Sequence, residues 1–158
     1  MTTTKLKPPP SGWPRISSAL FYDDASAAID WLVRVFDFEV RLKIEGEGGR
    51  IEHSELTFGE GLIMVGSTGG KSERPTPLSA KSPRALGGSY TQALCICIDD
   101  VDAHCEKARR EGAKIVESPK TNDYGEEYWT DRTYQVEDPE GHQWWFMQRV
   151  RTPEPRAT

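Results

Sequence analysis

A histidine and a glutamate lie two positions apart, at His53 and Glu55, where polar and apolar residues alternate. Side chains two apart on a strand point to the same face, so we expect this pair to lie side by side. Such a pair can work as an acid and a base, or supply two ligands to a metal ion. Leu56 and Phe58 are expected to pack on a helix from the opposite face. We favour a simpler explanation, in which the pair forms a hydrogen-bonded polar patch without a chemical role.

Two of the three cysteines form a Cys-x-Cys pair at Cys95 and Cys97. On a strand their thiols would share one face, where they could ligate a soft metal ion or respond to oxidants. No other thiol cluster accompanies them, and the surrounding residues are apolar. We therefore expect Cys95, Cys97 and Cys105 to be reduced and buried, the first two as core packing. Reduced cysteines are typical of a cytoplasmic protein.

The segment richest in aromatic residues is 131–148, with the sequence DRTYQVEDPEGHQWWFMQ. Its centre, Asp138–Gly141, is strong turn sequence, because proline pre-sets φ and glycine accepts a positive φ. The two flanking stretches therefore predict a central hairpin. In its second strand the alternation places Gln143, Trp145 and Met147 on one face. The indole of Trp145 could stack on a planar or cationic ligand there, or fill the space and plug it.

An acidic and aromatic loop, Tyr124–Asp131, comes just before the hairpin. Beside a cavity it could act as a lid, with Trp129 holding a cationic or aromatic ligand, or it could be a solvated loop with aromatic anchors. Arg132 follows and could pair with a carboxylate ligand. We expect a structural ion pair instead, with an acidic residue of the loop, namely Glu126, Glu127 or Asp131.

The remaining histidines have simpler explanations. His142 follows the turn glycine and is expected to hydrogen-bond the start of the strand, while His104 is expected on a helix surface. Neither a nucleophile elbow nor a dinucleotide fingerprint is present. Gly66–Gly70 lacks the strand-to-helix context of a phosphate loop.

The composition is typical of a soluble globular protein, with 36% hydrophobic and 28% charged residues. A net charge of −5 disfavours nucleic acid as a partner, because no basic surplus would neutralise phosphates. We expect no membrane-spanning segment, since no apolar run approaches ~18 residues, and no secretory signal, since the N-terminus lacks an apolar core.

The chain reads twice as strand, helix and three strands. Laid on itself with an offset of 76, it superimposes Asp23-Asp24 on Asp99-Asp100, the predicted helix starts, which indicates an internal duplication. The first helix should bury the stripe Ile29, Leu32, Val33 and Phe36. In the second half a strand is predicted at Lys114–Glu117 and a polar loop at Ser118–Trp129. We expect five segments: an N-terminal arm (1–14), a first module (15–65), a Gly/Ser/Pro-rich linker (66–90), a second module (91–150) and a tail (151–158).

Two βαβββ modules, an Asp-Asp helix start in each, and a closing D-P-E-G-H-x-W-x-F strand resemble the vicinal oxygen chelate superfamily. This group contains glyoxalase I, bleomycin-resistance proteins and extradiol dioxygenases. The residue pattern of this sequence is most similar to the glyoxalase-like or PhnB-like branch of the group. The resemblance covers about Ile16 to Arg149. It implies an α+β fold in which the paired modules form a curled mixed sheet around a cavity, commonly completed in a homodimer.

The resemblance also implies a divalent metal held by side chains on the first and last strands of the modules. In this sequence those positions fall on Ser17, on Ile63 or Met64, on Ala93 and on Trp145. Alanine and tryptophan cannot ligate the ion, and serine could do so only weakly. We therefore expect the inherited metal site to be absent, and no cofactor.

The favoured hypothesis is a metal-free, cytoplasmic, homodimeric protein that binds a small hydrophobic or aromatic molecule, in a sequestration or resistance role. The alternative is a metal-dependent lyase, isomerase or dioxygenase of the same superfamily, with one divalent ion held by His53, Glu55 and His142. The predicted ligand-binding residues are Ser17, Phe21, His53, Glu55, Cys95, Trp129, Arg132, Gln143, Trp145 and Met147.

Overall fold

A computed structural model of the chain describes residues 6–70 and 79–153. The first half contains β1 (Ser18–Tyr22), α1 (Ala25–Phe36), β2 (Glu39–Glu45), β3 (Ile51–Phe58) and β4 (Gly61–Ser67). The second half contains β5 (Ala93–Cys97), α2 (Val101–Arg110), β6 (Lys114–Asp123), β7 (Thr130–Glu137) and β8 (Gln143–Arg151). The predicted pair of βαβββ modules is confirmed. The predicted arm, linker and tail fall partly outside the described residues, and a short 3₁₀ helix, Pro83–Leu86, lies in the linker range.

The second aspartate of an Asp-Asp pair caps the N-terminus of each helix, as predicted. The Asp24 carboxylate accepts a hydrogen bond from the backbone N–H of Ala27 at 3.0 Å, and Asp100 accepts one from Ala103 at 2.9 Å. Each carboxylate satisfies one of the free N–H groups of the first turn, which stabilises a helix by about 1 kcal/mol. The two helices start 76 positions apart, at Ala25 and Val101.

The two halves form separate four-stranded sheets of the same topology. Their strand orders are β1-β4-β3-β2 and β5-β8-β7-β6. In each sheet the first and last strands of the module pair in parallel, and the other neighbours pair antiparallel. The repeated order supports the predicted internal duplication.

The contacts divide the chain into two units. One comprises Met1–Val33 and Asp37–Ala80, and the other comprises Arg34–Phe36 and Lys81–Thr158. The second unit therefore includes the last turn of α1. Of the helices in the described part of the chain, none is long and apolar enough to cross a membrane.

The core of the second unit lies between α2 and one face of its sheet. Trp144, Phe146, Tyr134 and Val136 are fully buried there. The ring of His104 on α2 lies 4.2 Å from Phe146, and the Tyr134 and Phe146 rings stack at 5.3 Å. Strands whose alternate residues are fully buried in this way direct the intervening side chains to the other face.

Two predictions about these elements are wrong. Val33 is 37% exposed, whereas Val35 is fully buried, so the apolar stripe of α1 runs through Val35 instead. The polar stretch Ser118–Trp129 is not all loop, because β6 continues to Asp123. This strand lies at the edge of its sheet, where one side is solvated and polar residues are tolerated.

Candidate functional site

The candidate site lies on the face of the second sheet that α2 does not cover, named here the Trp145 face. Along β8, Gln143, Trp145 and Met147 alternate with the buried Trp144 and Phe146. The pairing of β8 with β5 and with β7 shows no irregularity across these positions. The predicted alternation is therefore correct, and Trp145 is partly exposed.

The strand register arranges this face in three rows, each read from β5 to β6. The first row is Ala93, Gln143, Glu137 and Lys114; the second is Cys95, Trp145, Gln135 and Glu117; the third is Cys97, Met147, Thr133 and Lys120. Trp145 thus has a sulfur-bearing neighbour on its β5 side and a carboxamide on its β7 side. Apolar area with a few fixed polar groups is typical of small-molecule sites.

A chain of hydrogen bonds fixes the polar side of the face. Lys114 Nζ donates to Glu137 Oε1 at 2.9 Å, and Gln143 Nε2 donates to Glu137 Oε2 at 2.8 Å. Gln135 Nε2 in turn donates to Gln143 Oε1 at 3.0 Å. The hydrogen bond from Lys114 lowers the pKa of Glu137, helped by the bond from Gln143, so this carboxylate acts as an anionic acceptor.

The prediction that Cys95 and Cys97 are core residues is wrong. Both are exposed, and only Cys105 is buried. Cys95 lies opposite Trp145 and Cys97 lies opposite Met147. Although the residue is exposed, its thiol is partly desolvated, which raises the pKa of Cys95; the nearby Asp131 and Cys97 raise this pKa further, because negative charges oppose formation of the thiolate.

Trp129 lies at one end of the same sheet, just before β7. The Arg149 guanidinium lies 5.3 Å from the centre of its ring and also pairs with the buried carboxylate of Asp131. Two tyrosines complete an aromatic cluster, with ring centres 5.8 Å (Tyr124) and 6.1 Å (Tyr128) from Trp129. The loop is an anchored turn, since Arg151 donates to the carbonyl oxygens of Gly125 and Tyr128 and to Asp123.

Arg132 is a structural ion-pair residue, as predicted, but its expected partners are wrong. Its guanidinium binds both oxygens of Asp102, at 2.6 and 2.7 Å, and donates to Thr121 Oγ1 at 3.1 Å. Asp102 lies in the first turn of α2. Arg132 therefore lies with the helix-facing residues Tyr134 and Val136 and is not brought together with Trp145.

The predicted site residues of the first unit form a separate group. His53 Nε2 lies 3.2 Å from Glu55 Oε1, and Arg41 Nε lies 3.5 Å from Glu55 Oε2. Glu55 is buried, and each of its two oxygens has one of these partners. This is the arrangement expected of a hydrogen-bonded polar patch.

In the first unit, Ser17 immediately precedes β1, and Phe21 lies within that strand. Ser17 Oγ donates to the carbonyl of Leu62 at 2.8 Å. Phe21 is exposed and lies over its pairing partner Gly66, where a Cβ atom would come within 3.7 Å of the ring. The hydroxyl of the serine is thus engaged with the backbone.

His104 has a role that its position in the sequence does not reveal. Its Nε2 donates to the carbonyl of Phe36 at 3.3 Å, and its Nδ1 lies 2.7 Å from the hydroxyl of Tyr134. His104 is therefore half-buried and connects α2 to Tyr134 on β7 and to Phe36 at the end of α1. The prediction of a surface histidine is wrong. At His142 the backbone N–H donates to Asp138 Oδ1 at 3.0 Å, in line with the expected turn contact.

The fold and the site define a protein built from two βαβββ modules. A family model for the Glyoxalase/Bleomycin resistance protein/Dioxygenase superfamily matches residues 15–146. The chain belongs to this superfamily, as its resemblance implied. An uncharacterized protein of Mycobacterium tuberculosis, Rv0887c, is 32% identical over 143 residues, which cover 87% of this chain and 76% of that protein.

Solved structures show the same fold. TioX from Micromonospora sp. ML1 is 31% identical with a TM-score of 0.65, over 87% of this chain and all of that one. TnmS3, an antibiotic binding protein from Streptomyces sp. CB03234, is 18% identical with a TM-score of 0.60, over 85% of this chain and 93% of that one. At 18% identity, the similarity to TnmS3 concerns the fold alone.

The side chains at the positions of the superfamily's metal ligands do not fit a divalent ion. Ser17 offers a hydroxyl engaged with Leu62, Met64 a thioether, Ala93 a methyl group and Trp145 an indole. Divalent ions in such sites take several nitrogen or oxygen ligands with supporting hydrogen bonds. Across residues 6–70 and 79–153, no group of three or more His, Cys, Asp or Glu side chains could hold a metal ion.

Proposed function

We propose that this protein binds a small aromatic molecule on the Trp145 face and does not convert it chemically. The observation that carries the proposal is the placement of Trp145, partly exposed between Cys95 and Gln135. The resemblance to the superfamily assigns a metal-binding glutamate to this position. An indole face stacks on planar rings and attracts cations. A binding surface thus takes the place of a catalytic ligand.

The surroundings of Trp145 support a binding role. Cys95, Cys97 and Met147 give the face a soft apolar side, and the amides of Gln135 and Gln143 give it a polar side. The net charge of −5 suits a cationic or neutral ligand better than an anionic one. Such a protein lowers the concentration of free ligand in proportion to its own abundance, which is sequestration. The description of TnmS3 as an antibiotic binding protein is consistent with this role.

The enzymatic alternative needs a metal ion held by His53, Glu55 and His142. In the first unit Glu55 is already paired with His53 and Arg41, and an incoming ion would have to displace the arginine. No contact of these residues favours a metal-dependent enzyme. We therefore keep the binding protein as the proposal, as a cytoplasmic homodimer.

Isothermal titration calorimetry with 2-naphthol and 9-aminoacridine, one neutral and one cationic planar probe, tests the proposed function. We expect both to bind the wild type, and Trp145→Ala to weaken binding about tenfold, which corresponds to about 1.4 kcal/mol. Trp145→Phe keeps a ring and should lose less. Mass spectrometry after incubation should recover both probes unchanged. The proposal is wrong if neither probe binds, or if Trp145→Ala binds them as well as the wild type does.

A further inference from the structure

The side chain directly opposite Trp145 on β7 is Gln135. Opposite residues of neighbouring antiparallel strands have Cβ atoms about 4.5–5.5 Å apart, so a ring stacked on the indole would come within reach of this carboxamide. Whatever the carboxamide presents to the ligand therefore helps to decide which ligands bind. Its orientation follows from its neighbours.

The chain of hydrogen bonds begins at a group that can only accept. Glu137 is held by Lys114, and its carboxylate accepts from the amide of Gln143 at 2.8 Å. The second amide hydrogen of Gln143 is directed at the carbonyl of Gly141, at 3.3 Å. Both hydrogens of Gln143 are thereby used, and its carbonyl oxygen must face Gln135.

The same logic orients Gln135. Because Gln143 presents a carbonyl oxygen, Gln135 must turn its NH₂ group toward it, and the two lie 3.0 Å apart. The carbonyl oxygen of Gln135 then points away from this chain of hydrogen bonds. It has no hydrogen-bond partner among the described residues. A fixed acceptor thus stands beside the exposed indole, held by a chain that starts at a charged pair.

We propose that Gln135 is a specificity-determining residue, which accepts a hydrogen bond from an N–H or O–H group of the ligand stacked on Trp145. This inference rests on the proposed function and narrows its ligand class to planar aromatic molecules that carry a hydrogen-bond donor at one edge. That edge lies toward β7, and the apolar edge lies toward Cys95 on β5. Glu137 acts as a positioning residue, since it fixes the direction of both amides without touching the ligand.

The test compares two probes by isothermal titration calorimetry: 2-naphthol, which carries an O–H donor, and 2-methoxynaphthalene, in which a methyl group replaces the hydrogen of that donor. In the wild type we expect 2-naphthol to bind about five- to tenfold more tightly than the ether, the size of one good hydrogen bond. Gln135→Leu should remove this preference by weakening 2-naphthol alone. Glu137→Gln should reduce the preference as well, because a neutral amide no longer fixes the orientation of Gln143.

Controls separate this inference from the proposed function. Gln92→Leu, at an exposed glutamine before β5, should keep the wild-type preference, and circular dichroism should show that each variant is folded. If both probes bind the wild type equally and both need Trp145, the role of Gln135 is refuted and the binding function stands. If neither naphthalene binds while 9-aminoacridine does, this inference fails and the binding function stands; if none of the three probes binds, both proposals fail. A preference that survives in Gln135→Leu also overturns the inference.

Discussion

Two adjacent tryptophans have opposite environments, and one aspartate accounts for the difference. Trp144 is fully buried and its indole Nε1 donates to Asp138 Oδ2 at 3.1 Å. The other oxygen, Oδ1, accepts from the backbone N–H groups of Glu140 and His142, both at 3.0 Å. Asp138 thus fixes both the turn and the inward side of β8. Trp145 is directed to the opposite face as a consequence.

The three thiols should differ in their reactivity toward an alkylating reagent. In the native protein iodoacetamide should label Cys95 and Cys97, whereas Cys105 should react only after unfolding, because it is buried. Labelling of Cys95 should need a higher pH than that of a free thiol, since burial, Asp131 and Cys97 all raise its pKa. Mass spectrometry of labelled peptides across a pH series measures both effects.

Cys97→Ser is the matched variant for this experiment. It removes one of the charges that raise the pKa of Cys95, so the labelling profile of Cys95 should move toward lower pH. Equal labelling rates for Cys95 and Cys105 in the native protein would contradict the structure. Bound 2-naphthol should slow the labelling of Cys95, because the thiol lies opposite Trp145.

The stability of the hairpin formed by β7 and β8 should depend on Asp138. Asp138→Ala removes the acceptor of three N–H groups and leaves the buried Trp144 indole N–H without its partner. We expect the free energy of unfolding to fall by about 3 kcal/mol, since a buried unsatisfied donor and two lost charge-assisted bonds act together. Urea denaturation followed by circular dichroism measures it.

Two variants in the same turn serve as controls. Pro139→Ala changes an exposed residue and should alter the stability by less than about 1 kcal/mol. Asp138→Asn keeps one acceptor oxygen and should be intermediate. If Asp138→Ala were as stable as Pro139→Ala, the hairpin would owe its geometry to other contacts.

Elements that depend on local chemistry could be predicted from the sequence. The helix starts at Asp24 and Asp100 and the turn at Asp138–Gly141 are each specified within about five residues, and the pairing of β8 is regular from Gln143 to Arg149, so its alternation is not inverted there. The face of Trp145 follows from these features. The same argument would have failed in β6, whose pairing shifts twice.

Features that depend on distant contacts could not be predicted. The apolar run Ala93–Cys97 is typical of core, yet both thiols of β5 are exposed, while Leu94 and Ile96 are only partly buried. Arg132 finds its partner, Asp102, 30 positions away on α2. Prediction of the chain of hydrogen bonds through Glu137, Gln143 and Gln135 requires the pairing register of β7 and β8, as well as the face on which each side chain lies.

The exposed apolar edge strand of the first sheet bears on the predicted homodimer. The strand β2 is an edge strand, and Val40, Leu42 and Ile44 are all exposed on it. Proteins usually cover such an edge, because unpaired strands with apolar side chains associate with other chains. We expect a second copy of this chain to cover it.

Sedimentation equilibrium at micromolar concentration tests this prediction. The wild type should have twice the 17.8 kDa mass of the chain, and Ile44→Lys, at a residue that is 47% exposed, should shift it toward the monomer. Val116→Lys is the matched control, since Val116 is 48% exposed on the edge strand β6 of the other sheet. A monomeric wild type would refute the homodimer. A variant pair with equal effects would show that association does not use β2 specifically, because a lysine on either edge would then act only through added charge.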